Sequence, residues 1–314
     1  MVHPSRRRVL GYGLAGAVVV AAAGGAGVEL VSRGVLPGQG VLDAIDGACS
    51  VAAPDLASYA PPGPQVSGTF YSRARNQAVG YTIGYPPGRQ PGARLPLVVM
   101  LHGYGANHVN ALSRLSPAQA LALRVNGRPL PPMALVTADG GGGYWNPHPR
   151  DNPQAMLTDE LIPMCQRLGL GTASGRESRR IGVMGISMGG YGSLLLAAKR
   201  PDLVSAVAAI SPAIWTSYAQ ARAANAGAYA SAADFAADDV VTHAAALARV
   251  SVRVAAGLSD PFYPGVQAFA RALPKDPGGQ PAALAFAAGC HDDSFFTAQE
   301  PPSLAFLARQ LTPQ

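Results

Sequence analysis

The sequence predicts an α/β fold: a doubly wound, mostly parallel sheet with helices on both faces and a short lid-like insertion. Two observations carry this expectation. Short apolar runs bounded by turn residues alternate with longer amphipathic runs, the pattern left by parallel strands and their crossover helices. Within that alternation, the run IGVMGISMGGYGSLLLAAKRP (Ile181 to Pro201) sets a serine between glycines where a strand-like stretch gives way to a helix-like one.

Taken in order, the strand-like runs are Val79 to Tyr85, Leu97 to Leu101, Ala134 to Ala138, Arg180 to Gly185, Ala206 to Ile210, Val252 to Ala256 and Ala283 to Ala287. The helix-like runs are Pro117 to Arg124, Ala155 to Arg167, Met188 to Lys199, Val240 to Ala248, Gly265 to Leu273 and Pro302 to Leu311. Between Trp215 and Asp239 lies an Ala- and Tyr-rich stretch longer than an ordinary connection. Segments of that length act as lids or binding loops, or fold as a structural pair of short helices, and both readings stay open.

Composition narrows the class. The chain has 314 residues, 48% apolar and 13% charged, far from disordered compositions and long enough for one large core. Half of the net charge of +6 comes from Arg6, Arg7, Arg8 and Arg33 set against Glu29. No basic stripe with interleaved aromatics remains for nucleic acid, so none is expected as a partner.

The first residues, MVHPSRRRVLGYGLAGAVVVAAAGGAGVELVSR, join a basic start to an almost uncharged run from Val9 to Val28. Ser5-Arg6-Arg7-Arg8-Val9-Leu10 resembles the twin-arginine export signature. A run near 20 residues suits either a cleaved signal or a retained membrane anchor, and Ala21-Ala22-Ala23 would serve as a cleavage site. The expected organisation is a signal or anchor over 1–35, a Pro/Gly-rich tether over 36–66 and one catalytic domain over 67–314, placed outside the cytoplasmic membrane. Three cysteines are too few for a disulfide scaffold. Cys165 falls on a helix-like apolar run and reads as core, while an oxidising exterior would allow a Cys49 to Cys290 bridge.

Ser187 falls on the strand-to-helix turn, the context that a nucleophile elbow requires. Gly185 and Gly189 leave room for close backbone approach there. A serine needs a base oriented by a carboxylate, and in α/β-hydrolases the chain order is Ser, then Asp or Glu, then His. Among six histidines, His291 stands just past the strand-like AALAFAAG, and Asp260 follows VRVAAG. Asp292 and Asp293 lie too near the base in sequence to orient it from behind. The expected catalytic residues are therefore Ser187, Asp260 and His291. The strand and loop LPLVVMLHGYGAN supply a second oxyanion donor, so the hole is assigned to the backbone N–H groups of Met188 and Tyr104. Gly103 shapes that loop and His102 is structural. His108 and His148 read as surface-loop residues, and neither an HExxH nor a Cys/His metal spacing is present, so no metal and no cofactor is expected.

These residues resemble the esterase family that includes esterase D (S-formylglutathione hydrolase), feruloyl esterases, enterochelin esterases and the antigen 85 mycolyltransferases. The resemblance covers roughly Ser67 to Leu311. It rests on LHGYG, ADGGGGYW followed by DELIPMC, GISMGGYGSLLLAAKRPDLVSAVAAISPAIW, DPFY and GCHDDSFF. It implies the triad positions already assigned, and it implies that Asp139, Trp145 and Glu160 shape the site, Glu160 in a structural role. The MGGYG elbow is more similar to the simple esterases than to antigen 85, whose sequence around the nucleophile differs, and after the histidine, where antigen 85 proteins have aromatic residues, this chain has Asp293 and Phe295-Phe296.

The expected function is that of an exported serine hydrolase cleaving a carboxylic ester through an acyl-enzyme. An acyltransferase passing the acyl group to a sugar or lipid hydroxyl is the alternative, and a non-catalytic cell-wall binding protein a third reading. The substrate is expected to be a small-molecule or lipid ester without charge, because no ionisable residue is assigned to the pocket and the Trp215 to Asp239 segment is small and apolar. A membrane partner is expected only through an uncleaved amino-terminal segment.

Overall fold

The computed structural model describes residues 49, 51, 60–171, 181–275, 279 and 281–312. The export segment and most of the tether expected above lie outside the described residues. Among those described, no helix is long and apolar enough to cross a membrane.

The strands are β1 (Gln65–Ser72), β2 (Gln77–Gly84), β3 (Leu97–Leu101), the short pair β4 (Arg124–Val125) and β5 (Arg128–Pro129), β6 (Ala134–Ala138), β7 (Ile181–Ile186), β8 (Val204–Ile210), β9 (Ser251–Gly257) and β10 (Ala283–Ala287). All but β4 and β5 join one sheet in the order β1-β2-β6-β3-β7-β8-β9-β10. From β6 to β10 the neighbours run parallel, while β2 is antiparallel to both β1 and β6. Every strand expected from the sequence is present within a few residues. Arg180, the expected start of one strand, lies outside the described residues. β1 was not anticipated: it is an edge strand exposed at most positions, so its apolar alternation is weak.

The central strands LVVML, ALVTA and IGVMGI are buried along their whole length, as parallel strands covered on both faces must be. Successive side chains then feed two cores. Val99, Leu101 and Val183 point into one, and Val98, Met100 and Met184 into the other.

The helices are α1 (Pro117–Leu121), α2 (Pro153–Ala155), α3 (Ile162–Arg167), α4 (Met188–Lys199), α5 (Tyr218–Ala224), α6 (Ala232–Ala237), α7 (Tyr263–Ala272) and α8 (Asp293–Leu311). A π-helical turn, Met156–Leu161, joins α2 to α3, so the expected Ala155 to Arg167 helix is continuous but irregular. Glu160 in that turn accepts the Arg73 and Ala74 N–H groups at 2.8 and 3.0 Å, a structural role that pins the β1–β2 connection.

Two helices differ from expectation. Over Val240 to Ala248 a regular helix gives way to turns and a 3₁₀ segment, Ala244–Arg249. Asp239 accepts from the Val241 N–H and the Thr242 hydroxyl, which holds a turn where three β-branched residues already disfavour a helical start. The last helix begins at Asp293 rather than Pro302 and carries Pro301 and Pro302 inside it. Its early start is fixed by Asp292, whose side chain accepts from the Ser294 and Phe295 N–H groups at 3.0 Å, and by Phe295, which is fully buried.

The Trp215 to Asp239 insertion is the structural pair of short helices, α5 and α6, sealed onto the domain. Tyr229 meets Tyr144, Tyr191 and Phe235 with ring centroids 6.3, 6.2 and 5.1 Å apart. The Tyr191 hydroxyl donates to the Asp238 carbonyl at 2.8 Å, and Asn146 Nδ2 donates to the Ala228 carbonyl at the same distance. Lys199 pairs with Asp238 at the end of the insertion.

Candidate active site

Ser187 follows β7 and precedes α4. Its φ of 55° and ψ of −119° are a conformation that L-residues rarely adopt, so the turn is strained. Sequence explains how the turn is tolerated: a Cβ on Gly189 would run into the Leu101 carbonyl, and one on Gly185 into the Gly189 carbonyl. The backbone of Ser187 is tied down from both sides. Its N–H donates to the Ile210 carbonyl at 2.9 Å, and its carbonyl accepts from Tyr191 and Ala213, each at 3.0 Å.

His291 comes from the connection after β10 and Asp260 from the turn after β9, so three separate strand ends converge. The Ser187 hydroxyl lies 2.8 Å from His291 Nε2, and His291 Nδ1 lies 2.9 Å from Asp260 Oδ2. The Asp260 side chain is wholly buried, and its Oδ1 accepts from the Phe262 N–H at 2.8 Å. A buried carboxylate accepting at Nδ1 leaves that nitrogen protonated and Nε2 free to take the serine proton. Phe262 and Phe296 flank the imidazole with centroids 5.0 and 5.1 Å away, the second ring edge-on. Asp292 does not touch the base; it caps α8, which agrees with the sequence reading.

Beside Ser187 and His291 opens a cavity of about 510 Å³. One wall is the loop after β3, including Gly103, Tyr104, Asn110 and Ser113, and the other carries Ile186, Asp293 and Phe296. Tyr104 is 69% exposed at the mouth, and its N–H donates to no group among the described residues. Met188 is the first residue of α4, so its N–H is one that the helix cannot satisfy internally. Both are able to serve an oxyanion.

The remaining predicted residues act from behind this loop. His102 is buried, donates from Nδ1 to the Gly103 carbonyl at 2.7 Å and accepts the Gly140 N–H at Nε2 at 2.8 Å. Burial holds its pKa below the usual histidine value, so it stays neutral. Trp145 is fully buried against it, and its Nε1–H donates to the His102 carbonyl at 3.2 Å. Asp139 accepts from the His108 and Gly80 N–H groups at 2.8 and 3.0 Å, clamping the loop to β2. Neither Asp139 nor Trp145 lines the cavity.

Two sequence expectations require correction. The Trp215 to Asp239 segment contributes no residue to the cavity wall, because its aromatics are spent on packing against the domain. The pocket is also not free of ionisable groups beyond the base, since Asp293 lines it. Asp293 and Phe296 were missed although their spacing of three after a helix start puts them on one face, next to His291.

Cys49 and Cys290 are joined in a disulfide, which ties the amino-terminal arm beside His291, while Cys165 is buried and free, its thiol pushed up to about 12 by burial. Cys49, Cys290 and Asp292 cluster closely enough to suggest a metal site, but the two sulfurs are bonded to each other.

The family model described as "Putative esterase" matches residues 72–296. The chain belongs to this esterase family. Similar solved structures include a ferulic acid esterase, with a TM-score of 0.66 and 18% identity, covering 80% of this chain and 100% of that one. An S-formylglutathione hydrolase from Agrobacterium tumefaciens gives 0.60 at 19% identity over 81% and 98% of the two chains. MPT51 from Mycobacterium tuberculosis gives 0.59 at 16% identity over 79% and 99%. No curated protein sequence matches the chain. These likenesses establish the α/β-hydrolase fold of this esterase-family hydrolase.

Proposed function

We propose that this esterase is an exported serine hydrolase that cleaves carboxylic esters through an acyl-enzyme. The single observation behind this reading is the hydrogen-bonded series from Ser187 through His291 to buried Asp260 on a strained turn. Ser187 Oγ attacks the ester carbonyl as its proton passes to His291 Nε2, and Asp260 holds the imidazole by its Nδ1–H. The Met188 and Tyr104 N–H groups receive the oxyanion. Collapse expels the alcohol, protonated by His291, and water then repeats the sequence on the acyl-serine to release the acid.

Removing the serine from such a unit costs on the order of 10⁶-fold in kcat. Ser187→Ala is therefore expected to lose hydrolysis of short p-nitrophenyl esters and labelling by a fluorophosphonate. Near wild-type turnover by that variant would overturn the assignment. Water as acceptor is tested by adding trehalose or glycerol and looking for acylated sugar or glycerol in place of free acid.

Export draws support from the twin-arginine sequence and from the Cys49–Cys290 disulfide, which belongs to an oxidising compartment. Arg6→Lys with Arg7→Lys is expected to retain the enzyme inside the cell.

A further inference from the structure

The cavity beside Ser187 is lined by one carboxylate, Asp293, and by no lysine or arginine among the described residues. Asp293 is the first residue of α8, two positions after His291, and Phe296 follows one helical turn later on the same face. Phe296 packs edge-on against the His291 ring, so this face of α8 looks into the space a substrate must enter. The helix cap is supplied by Asp292, not by Asp293. The Asp293 side chain is exposed and has no ion pair or hydrogen bond among the described residues; its charge favours the N-terminus of α8 but is neutralised by no cation among them.

We infer that Asp293 selects substrates by charge, favouring esters that carry a cationic group and rejecting those with a second, anionic group. This rests on the proposed hydrolysis at Ser187. A fixed charge at the wall of a cleft concentrates ligands of opposite sign and repels those of its own. At a separation of about 4–5 Å and close to the dielectric of bulk water, which suits an exposed carboxylate, the discrimination is about fivefold per charged substituent. The neutral ester remains a substrate, so the selection concerns what accompanies the ester and not the bond cleaved.

The test compares kcat/KM within two matched pairs, for the wild type, Asp293→Asn and Asp293→Glu. One pair is butyrylcholine against its uncharged isostere 3,3-dimethylbutyl butyrate, which varies the alcohol. The other is ethyl hydrogen succinate against ethyl butyrate, which varies the acyl group. In at least one pair the wild type should favour the less negative member about fivefold. Asp293→Asn should bring that ratio towards one, Asp293→Glu should restore it, and added salt should narrow it. A merely structural aspartate would change both members equally. If the neutral esters turn over in a Ser187-dependent way but Asp293→Asn alters neither ratio, this inference falls and the proposed hydrolysis stands. If the wild type hydrolyses none of the four esters, both fall.

Discussion

Glu300 lies on the same helix as Asp293, and its carboxyl is wholly buried behind the cavity loop. One oxygen accepts the Ser113 N–H at 2.7 Å, and the other has no hydrogen-bond partner. Burial pushes its pKa from 4.5 to about 7, with the hydrogen bond from the Ser113 N–H opposing the rise and the negative charge of Asp293 adding to it. The folded protein thus holds this proton more tightly than the unfolded chain. Its contribution to stability is fully present below 4.5, falls as pH rises to about 7 and stays lost above that. A rise of this size corresponds to about 3 kcal/mol. Urea unfolding of the wild type should show that decline across the interval, and Glu300→Gln should be nearly flat there and more stable than wild type at alkaline pH. An equal slope in both proteins would refute the assignment.

At the scale of elements, α8 shows how tertiary anchoring overrides a local signal. Pro301-Pro302 reads as a helix start because proline suits the first turn, yet the helix begins at Asp293 and tolerates both prolines inside it. The earlier turns are held by the Asp292 cap and by Phe295 in the core, two contacts whose worth depends on where β10 delivers the chain. Asp292→Ala should lower stability by about 1 kcal/mol in chemical denaturation. It should also reduce ester turnover, since the cap adjoins His291, whereas Asp292→Ser should retain most of both. The insertion makes a similar point. Its tyrosines and alanines left lid and structural pair equally open, and only the packing of Tyr229 among Tyr144, Tyr191 and Phe235 decided for the pair.

For the molecule as a whole, the disulfide joins residues 241 positions apart and closes nearly the entire domain. Cross-linking over so long a loop restricts the unfolded chain, and losing such a bond typically costs about 2–5 kcal/mol. The double variant Cys49→Ser/Cys290→Ser, or the reduced wild type, should therefore melt earlier. Beside the bridge, the Cys49 carbonyl lies 3.4 Å from Ser294 Oγ, and Val51 packs on the core beneath. Turnover should fall more steeply with temperature in the bridge-free protein than in the wild type. Identical melting and activity in the two would show the bridge to be dispensable.

What the sequence determined by itself was everything carried by local pattern. Fully buried parallel strands have to be continuous apolar runs, so β3, β6 and β7 were legible, and a serine between glycines at a strand-to-helix junction has the form of a nucleophile elbow. His291 and Asp260 could be chosen because chain order and strand ends are sequence properties. Edge strand β1 was illegible, since an exposed strand has no two-sided burial to write into its composition. The cavity wall was decided only in three dimensions. Asp293 and Phe296 on α8 lie far along the chain from Ser113, and their meeting with it depends on how α8 crosses the sheet beside the β3 loop. Which side chains share a pocket is a property of packing, and no local pattern in the chain encodes it.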